Sequence, residues 1–592
     1  MKYRLLNESL QDDDNYSLVE KVFLNRGFEN KEDIYHYFNC NESDLYSPYK
    51  LDNILLGVNI LINHIYNNDK IFIQADSDSD GFTSSALLIN YLYKLFPTYT
   101  KNKVIYRIHS EKHHGLIFNT IPKDVKLVIA PDASSNEREV HERIYKEIGA
   151  EVLVLDHHPV DEENYDNPYA CIINNQLCDY PNKTLSGVGI VYKFCSLIDS
   201  MLGINYADDL LDIVALGLTS DMVDIRNCET RYLIKKGLEE LNNPFMRAMA
   251  EKNAYSLKGE LSPLKIAFYI TPYVNAACRS GTFEEKKIIF ESMLTFKGDE
   301  EVLSTKRGHS KGELETLATQ AVRVASNLKN RQDKEKNAWV ETLEENDDKS
   351  IFNHNLLLFK IDDSDFNKNL SGLIANQLAA KYGKPTLVLS KKYNAATDII
   401  TYEGSGRFPS SADGFSLKKF LKDSKYCLYA EGHDSAFGCG LLDTEIEPFI
   451  EYCDNNLPDL QDSIETKKVD FIFDSKDLSC NDILEITKAE RYFGQNIPEV
   501  YIAIENIKIA SDNLSIMSKD KNPTLKIHIP SKGYELIKFK LTEEETKELF
   551  VDEGYKIINI VGKCSKNEWN GNITPQIIIS NYEIIDSQKY YF

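Results

Sequence analysis

At 592 residues the chain is longer than one hydrophobic core supports, so we expect two to four domains. Its 42% apolar and 27% charged residues argue against wholesale disorder, and no apolar run approaches the ~20 residues of a membrane span. The net charge of −24 averages away any local basic track, so it does not exclude a nucleic-acid partner. Eleven cysteines without a Cys-x-x-Cys pair, and a start without a signal peptide, predict a cytoplasmic protein with reduced thiols.

Strands and helices alternate after a first stretch, residues 1–70, whose apolar residues have helical spacing. Predicted strands cover 71–75, 104–108, 127–130 and 151–155, with helices such as 84–96 and 136–148 between them. This alternation predicts an α/β fold with a mostly parallel sheet and helices on both faces. In such sheets ligands bind beyond the carboxyl ends of the strands.

Three carboxylates follow the first of these strands, in the segment Asp76-Ser-Asp78-Ser-Asp80-Gly. If the segment is still extended, alternate side chains point the same way and converge on one volume. Their oxygens suit Mg²⁺ or Mn²⁺. An EF-hand loop begins similarly, but Leu87 stands where its bidentate Glu belongs and a strand precedes the loop. A solvated turn that caps the next helix is the other alternative.

Further ligand-type residues follow the later elements. Asp132 comes after the strand at 127–130, Asp156-His157-His158 begins just past 151–155, and Asp221 follows a helix predicted at 210–218. Taken singly, each aspartate also fits a cap or a turn. Adjacent histidines at the end of a buried strand have few structural uses, whereas imidazole is a common metal ligand. Together these residues have the composition of a binuclear metal site.

The next segments contain candidate phosphate-binding groups. Residues 267–279 end in Arg279, and a second α/β unit over 356–442 includes Gly404-Ser405-Gly406-Arg407 and Gly432-His433, which resemble an anion cradle or a common turn. Residues 300–345 predict a long charged helix, either a solvated connection between domains or a basic wall of a nucleic-acid channel. Residues 346–350 are the best hinge candidate.

Short alternating strands dominate the chain from residue 466 onwards. They are predicted at 470–473, 501–509, 525–529, 537–541, 557–564 and 576–579, with little helix between them. Such a pattern is typical of a small β-barrel. Its aromatic residues Tyr501, Phe539 and Trp569 are candidate stacking platforms for bases, although aromatics in a barrel more often belong to the core.

These motifs resemble the DHH phosphoesterase superfamily and, within it, the RecJ single-strand exonucleases. Asp156-His157-His158 is the triplet that names the family, and the Asp76–Gly81 segment, Asp132 and Asp221 match its other metal-binding motifs in order. RecJ character is carried by Cys-Asp-Tyr-Pro at 178–181, Leu-Ser-Gly-Val-Gly at 185–189, Leu-Asp-Ile-Val-Ala-Leu-Gly at 211–217, Asn-Ala-Ala-Cys-Arg at 275–279 and Phe-Gly-Gln-Asn at 493–496 with Pro498.

The resemblance implies four parts. They are a parallel-sheet DHH catalytic domain with N-terminal helices over 1–240, a helical connector over 241–345, a smaller α/β DHH-associated domain over 346–445, and a nucleic-acid-binding OB-type β-barrel over 466–592. It also implies that two Mn²⁺ or Mg²⁺ ions are held by Asp76, Asp78, Asp132, His157 and Asp221. Asp80 and His158 then have catalytic supporting roles.

Substrate contacts are implied in the same way for Asn275, Arg279, Ser405, Arg407, Gly432 and His433, with Ser405 and Arg407 receiving the 5′-terminal phosphate. The chain departs from the family pattern at three places. Glu431 and Cys278 replace usual glycines, and His113-His114-Gly115 stands where Gly-Tyr-Gly is expected. These departures bear on how the end of the DNA strand is recognised.

The implied activity is a 5′-to-3′ exonuclease that hydrolyses single-stranded DNA to mononucleotides by a two-metal mechanism. The implied protein is a monomer that makes no membrane contact and has a helicase and a single-strand-binding protein as partners. A DHH enzyme that cleaves oligonucleotides or cyclic dinucleotides shares every metal ligand, but the carboxy-terminal barrel argues against it. A non-catalytic single-strand-binding relative is the other alternative, although the metal ligands are all present here.

Overall fold

The computed structural model describes residues 1–111, 113–257, 259–345, 349–408, 415–458, 466–517, 523–550, 554–569 and 571–588. The candidate hinge at 346–350 lies largely outside these residues, as do the side chains of His433 and Trp569. The chain divides into two compact units. Unit I comprises Glu32–Asp333 with Arg491–Pro498, and unit II comprises Met1–Lys31, Lys334–Glu490 and Glu499–Phe592.

Unit I is built on a five-stranded sheet in which every neighbouring pair is parallel, as the alternating pattern predicts. In spatial order its strands are Val104–Ile108, Ile71–Ala75, Leu127–Pro131, Glu151–Asp156 and Cys171–Asn174. The last of these was not predicted. The chain adds one strand on one side of Ile71–Ala75 and then crosses to the other side. That reversal creates a switch point, where open parallel sheets bind ligands.

Helices surround this sheet, and three of them form the buried layer beside the switch point. Ser79–Leu95 is buried along most of its length and packs against Gly187–Leu202 and Leu211–Ser220. The other helices of unit I are Lys31–Phe38, Ile54–Tyr66, Pro97–Lys103, Arg138–Arg143 with the π-helix Ile144–Ile148, Cys228–Glu239, Pro244–Lys252, Pro263–Tyr269, Thr271–Ser280, Phe283–Ser292 and Thr295–Gly298.

The aspartate-rich segment is extended only as far as Asp78. Asp78 is the N-cap of the helix Ser79–Leu95, and its Oδ1 accepts a hydrogen bond from the backbone N–H of Gly81 at 2.9 Å. Asp80 therefore lies in the first helical turn. The expectation that all three carboxylates converge by strand alternation is wrong, because helix formation begins between Asp78 and Asp80.

The charged segment over 300–345 is only partly helical. A hairpin of Glu301–Leu303 and Leu314–Thr316 precedes the helix Leu317–Glu344, so Lys306, Arg307 and Lys311 lie before the helix rather than on it. Several basic side chains of the helix are paired with acids: Arg323 with Glu315, Lys329 with Asp333, and Arg331 with Glu285. This pairing favours a solvated helix over a basic wall.

Within its described residues, unit II contains two large sheets and a two-stranded one. The first has the order Cys427–His433, Ala436–Leu442, Ile399–Arg407, Thr386–Asn394 and Leu357–Ile361, antiparallel except for the last pair. The helices Ser371–Tyr382, Leu417–Ser424 and Ile446–Asn456 belong to this part. One core cluster there joins Leu387, Phe437, Leu441 and Phe449. This is the smaller α/β unit that the sequence predicts.

The second sheet of unit II is mixed and has seven strands. Their order is Phe471–Asp474, Tyr501–Ala510, Tyr555–Trp569, Asn572–Gln588, Tyr534–Lys538, Thr524–Ile529 and Leu514–Met517, and the helices Cys480–Thr487 and Glu543–Leu549 accompany them. Near this sheet the chain start forms a strand, Lys2–Leu5, parallel to Thr466–Val469, followed by the helices Glu8–Gln11 and Leu18–Leu24. The helical prediction for 1–70 missed that strand. Among the described residues, no helix is long and apolar enough to cross a bilayer.

Candidate metal centre

Asp76 lies directly beyond the strand Ile71–Ala75 and is only 1% exposed. Its Oδ1 accepts a hydrogen bond from the backbone N–H of Gly115 at 3.0 Å, and its Oδ2 lies 2.5 Å from Nδ1 of His114. Burial raises the pKa of the Asp76 carboxyl, although the hydrogen bond from His114 opposes this effect. Asp78, two residues later, is half-buried and shares a potential ligand group with Asp76 and His114.

Asp132 follows the neighbouring strand Leu127–Pro131 and has a left-handed backbone, with φ of +66°. It is 1% exposed, and neither of its carboxylate oxygens has a hydrogen-bond partner among the described residues. Burial first, and then the negative charges of Asp80 and Asp78, raise the pKa of Asp132 well above its ordinary value. A buried carboxylate without hydrogen bonds is costly, and a cation would offset that cost.

Asp80 has a different environment, because donors already surround its carboxylate. Its Oδ2 accepts from the N–H of Gly187 at 2.7 Å, and its Oδ1 accepts from Val188 N–H and Ser186 Oγ, both at 3.2 Å. These groups form the amino end of the helix Gly187–Leu202, where partial positive charge accumulates. Burial still raises the pKa of Asp80 to about 6, followed by the charge of Asp78.

The Asp156-His157-His158 triplet begins on the last residue of the strand Glu151–Asp156. Asp156 accepts hydrogen bonds from the backbone N–H groups of His157 and His158, at 2.7 and 3.2 Å, and lies 2.8 Å from Nδ1 of His158. Burial alone would raise the pKa of Asp156, but the hydrogen bond and charge of His158 outweigh it and lower this pKa. Asp156 thereby orients the histidines rather than facing a cation.

The pKa values of the two histidines are shifted in opposite directions. Burial, and then the charge of His158, lower the pKa of His157 to about 4, so its imidazole is neutral and has a lone pair for a metal. Burial opposes protonation of His158, yet its hydrogen bond to Asp156 and the charge of Asp156 outweigh burial and raise its pKa to about 9. His158 is therefore a cation near neutral pH.

His157 brings the separate carboxylates together. Its Nε2 lies 3.3 Å from Oδ1 of Asp132, 3.9 Å from Oδ2 of Asp221 and 4.0 Å from Oδ2 of Asp80. Asp221 caps the helix Leu211–Ser220 with a side chain that is 35% exposed. Burial, and then the charges of Asp80 and Asp78, raise the pKa of Asp221 well above its ordinary value.

Three groups of potential ligand atoms result, two of which share His157, and the atoms of each group lie within 4.8 Å of one another. They are Asp76, Asp78 and His114; Asp132, His157 and His158; and Asp80, His157 and Asp221. All five residues that the resemblance implies as metal ligands lie in these groups. Carboxylate and imidazole donors of this kind fit divalent cations such as Mn²⁺ and Mg²⁺.

The predicted substrate residues fall in both units. In unit I, Ser79 Oγ donates to Oδ1 of Asn275 at 2.7 Å, which places Asn275 beside the aspartate segment. Burial lowers the pKa of Arg279, and the charge of Asp78 acts against it, so this guanidinium lies in the same electrostatic environment. Both belong to the helix Thr271–Ser280.

In unit II, Ser405 and Arg407 lie on the strand Ile399–Arg407, next to the amino end of the helix Ser371–Tyr382. The hydroxyls of Ser371 and Ser405 are 2.9 Å apart. A Cβ on Gly372 would lie 2.5 Å from Nη2 of Arg407, so this glycine lets the guanidinium approach the helix end. Gly432 has φ of +121° in the strand Cys427–His433, and its carbonyl accepts from Nζ of Lys418 at 2.6 Å.

Two contributors to the centre were not assigned roles from the sequence. In the sequence, His114 is only a departure from the expected Gly-Tyr-Gly, and Gly187 is only part of the Leu-Ser-Gly-Val-Gly motif. A Cβ on Gly187 would lie 2.2 Å from Oδ1 of Asp132, so glycine is needed for the close approach of that carboxylate. The glycines of the 185–189 motif were the sequence signal for this contact.

Comparisons with known proteins agree with these features. The model of the DHH family, N-terminal domain, matches residues 70–218, and the RecJ OB domain matches residues 469–581. A putative SPbeta prophage-derived single-strand DNA-specific exonuclease, YorK of Bacillus subtilis, is 35% identical over 593 residues, covering 100% of this chain and 99% of the relative. The single-stranded-DNA-specific exonuclease RecJ of the same organism is 24% identical, over 97% of this chain and 69% of the relative.

A solved structure shows the same fold. The crystal structure of RecJ in complex with Mn²⁺ from Thermus thermophilus matches with a TM-score of 0.67 and 16% sequence identity. The match covers 97% of this chain and 76% of that chain.

Proposed function

Since the chain belongs to the DHH family, among its RecJ-like members, we propose that it is a metal-dependent exonuclease specific for single-stranded DNA. The observation that carries this proposal is Asp132, a buried carboxylate without a hydrogen-bond partner among the described residues, surrounded by further carboxylates and by His157. We further propose that digestion runs from the 5′ end and releases mononucleotides.

The donor set fits a pair of divalent cations. Asp76, Asp78, Asp132, His157 and Asp221 would hold them, with Asp132 the best candidate for a shared ligand because charges from Asp80, Asp78, Asp76 and Asp221 all act on it. When bound, two such ions activate a water molecule and stabilise negative charge on the attacking and leaving oxygens of a phosphodiester.

The remaining polar side chains position the metal ligands and neutralise charge on the substrate phosphate. Asp156 holds Nδ1 of His158, which leaves Nε2–H of the imidazolium to donate to a phosphate oxygen of the substrate. Asp80 is held by the backbone of the helix Gly187–Leu202 and so fixes the first turn that follows Asp78. Asn275 fixes the same turn through Ser79.

A 5′-terminal phosphate would be received in unit II, by Ser371, Ser405 and Arg407. Two hydroxyls, a guanidinium and the amino end of a twelve-residue helix meet there, and each of these favours an anion. This arrangement supports digestion from the 5′ end. Gly432 and His433 belong to the same sheet, where the resemblance gives them substrate contacts.

The seven-stranded sheet would bind single-stranded DNA without sequence preference. Tyr501 has the ammonium groups of Lys563 and Lys467 at 5.2 and 6.0 Å from its ring centroid, and Phe539 is 56% exposed just after the strand Tyr534–Lys538. Aromatic faces combined with cations bind single strands through stacking and phosphate contacts. We expect deletion of 466–592 to shorten the footprint on single-stranded DNA.

We also propose a cytoplasmic monomer that digests strands exposed by a helicase and covered by a single-strand-binding protein. All eleven cysteines are free, which agrees with a reducing compartment. Sedimentation with and without single-stranded DNA tests the monomer, and a second copy at assay concentrations would refute it.

The decisive experiment removes the charge of Asp132 and keeps its shape. Asp132→Asn suits the left-handed backbone, whereas alanine would add strain there, and His157→Ala removes the imidazole. With 5′- or 3′-labelled single strands and Mn²⁺ or Mg²⁺, we expect each variant to lose at least about 100-fold in rate. Asp124→Ala, on a carboxylate that is 60% exposed, serves as the control.

Wild-type rates for Asp132→Asn or His157→Ala would refute the proposed centre. Early release of label only from the 3′ end would refute the polarity. Faster cleavage of dinucleotides than of long strands would instead favour the oligonucleotide phosphodiesterase.

A further inference from the structure

The loop before Gly115 contains three histidines, His109, His113 and His114, next to the buried carboxylate of Asp76. Nδ1 of His114 lies 2.5 Å from Oδ2 of Asp76, and ligand atoms of Asp76, Asp78 and His114 all lie within 4.8 Å of one another. The His114 side chain is 55% exposed and that of Asp76 only 1%, so the imidazole is accessible to solvent while the carboxylate beside it is buried.

The backbone on both sides of His114 is anchored. Ser77 Oγ donates to the carbonyl of His113 at 2.5 Å and accepts from the N–H of His113 at 3.0 Å. On the other side, Gly115 donates to Asp76 at 3.0 Å, and the next N–H, that of Leu116, donates to Glu137 at 2.8 Å. Hydrogen bonds on both sides therefore hold the backbone of His114 next to the aspartate segment.

A second imidazole faces the same carboxylate from inside. His109 is 3% exposed, and its Nε2 has no hydrogen-bond partner among the described residues, while lying 3.9 Å from Oδ1 of Asp76. A buried ring nitrogen without a hydrogen-bond partner carries a desolvation cost. A cation beside Asp76 would offset that cost.

From this geometry we infer that His114 is an additional ligand of the cation held by Asp76 and Asp78, and that it shifts the metal preference of the centre from Mg²⁺ toward Mn²⁺. The inference rests on the proposed metal centre. Mg²⁺ favours all-oxygen coordination with several waters, whereas imidazole nitrogen favours transition-metal ions. With His157 in the neighbouring ligand groups, an imidazole would then be available to each ion.

The test measures metal affinity directly in the full-length protein, without substrate. Mn²⁺ binding is followed by the electron paramagnetic resonance of free Mn²⁺, and Mg²⁺ binding by calorimetry. In His114→Ala, we expect one Mn²⁺ ion to bind at least about tenfold more weakly and Mg²⁺ to lose less, so the ratio of the two affinities falls. His113→Ala is the matched control, since His113 is the adjacent histidine and lies outside the ligand groups.

An equal loss of Mn²⁺ and Mg²⁺ affinity in His114→Ala would overturn the inference, because His114 would then merely orient Asp76. The same change in His113→Ala would also overturn it. A pulsed resonance measurement adds a direct readout. In the His157→Ala background, modulation from an imidazole nitrogen should persist on bound Mn²⁺ and weaken when His114→Ala is added. Unchanged modulation after that addition, or its absence from His157→Ala alone, would refute the assignment.

Failure of this inference is distinguishable from failure of the proposed function. If Asp132→Asn abolishes digestion while the affinity ratio of His114→Ala equals that of the wild type, the nuclease centre stands and only the role of His114 falls. If Asp132→Asn digests single strands normally, the proposed function itself falls.

Discussion

Gly187→Ala tests whether the placement of Asp132 determines activity. Gly187 begins the helix Gly187–Leu202, and an added Cβ would lie 2.2 Å from Oδ1, 2.6 Å from Cβ and 2.7 Å from Cγ of Asp132. These separations are about 1 Å short of an ordinary nonbonded contact between such atoms. Rotation of the carboxylate alone does not relieve the clash, because the Cβ of Asp132 is itself too close.

The helix end or the Asp132 backbone must therefore move by about 1 Å, and a displacement of this size in a reacting group costs about 100-fold in rate. That factor corresponds to about 2.7 kcal/mol of transition-state stabilisation. The backbone at Gly187 is helical and alanine favours helix, so the fold should persist. We expect kcat on labelled single strands to fall about 100-fold, with weaker Mn²⁺ binding and an unchanged circular dichroism spectrum.

Gly438→Ala provides the matched control. Its added Cβ would meet nothing closer than 3.7 Å, so the same chemical change should leave kcat close to the wild-type value. If Gly187→Ala digests single strands within about threefold of wild type, the contact between Gly187 and Asp132 does not control the centre, and the magnitude derived from a 1 Å displacement is refuted.

Three further predictions concern other parts of the chain. Arg407→Ala should lower kcat/KM on 5′-phosphorylated strands by about tenfold or more relative to 5′-hydroxyl strands, since a charge-assisted contact is lost; an unchanged ratio contradicts the phosphate site. Burial lowers the pKa of His141 to about 4, so its contribution to the free energy of unfolding is present above pH 6.5 and is lost as the pH falls toward 4. The free energies of unfolding of the wild type and of His141→Gln should therefore diverge by up to about 3 kcal/mol across that range. The same pH dependence in both proteins would contradict this prediction. Arg26 pairs with Asp470 at 2.6 Å, and both side chains are buried. Asp470→Ala should therefore lower the free energy of unfolding, measured with urea, by about 3–5 kcal/mol. As a control, Glu403→Ala, which removes the partner of the exposed Lys392, should lower it by no more than about 1 kcal/mol.

The order of the ligand motifs predicted much of the site. Asp76, Asp132 and the Asp156 triplet each follow a predicted strand, and parallel strands deliver their carboxyl ends to one edge. Local pattern sufficed because each signal is a short apolar run followed directly by a polar ligand. The strand Cys171–Asn174 and the strand Lys2–Leu5 were missed, since short segments have weak periodicity and acquire their conformation by pairing with distant residues.

The donor chemistry can be predicted from the amino-acid sequence, which shows the available carboxylates and imidazoles and the elements that they follow. Residue type and near-neighbour pattern are sufficient for that. Three features follow from the folded structure alone: the helix end at Gly187 binds Asp80, the carboxylate oxygens of Asp132 lack hydrogen-bond partners among the described residues, and His114 faces Asp76. These facts depend on ångström-scale distances between residues separated by tens of positions in the chain, which strand order and packing set and local sequence does not encode.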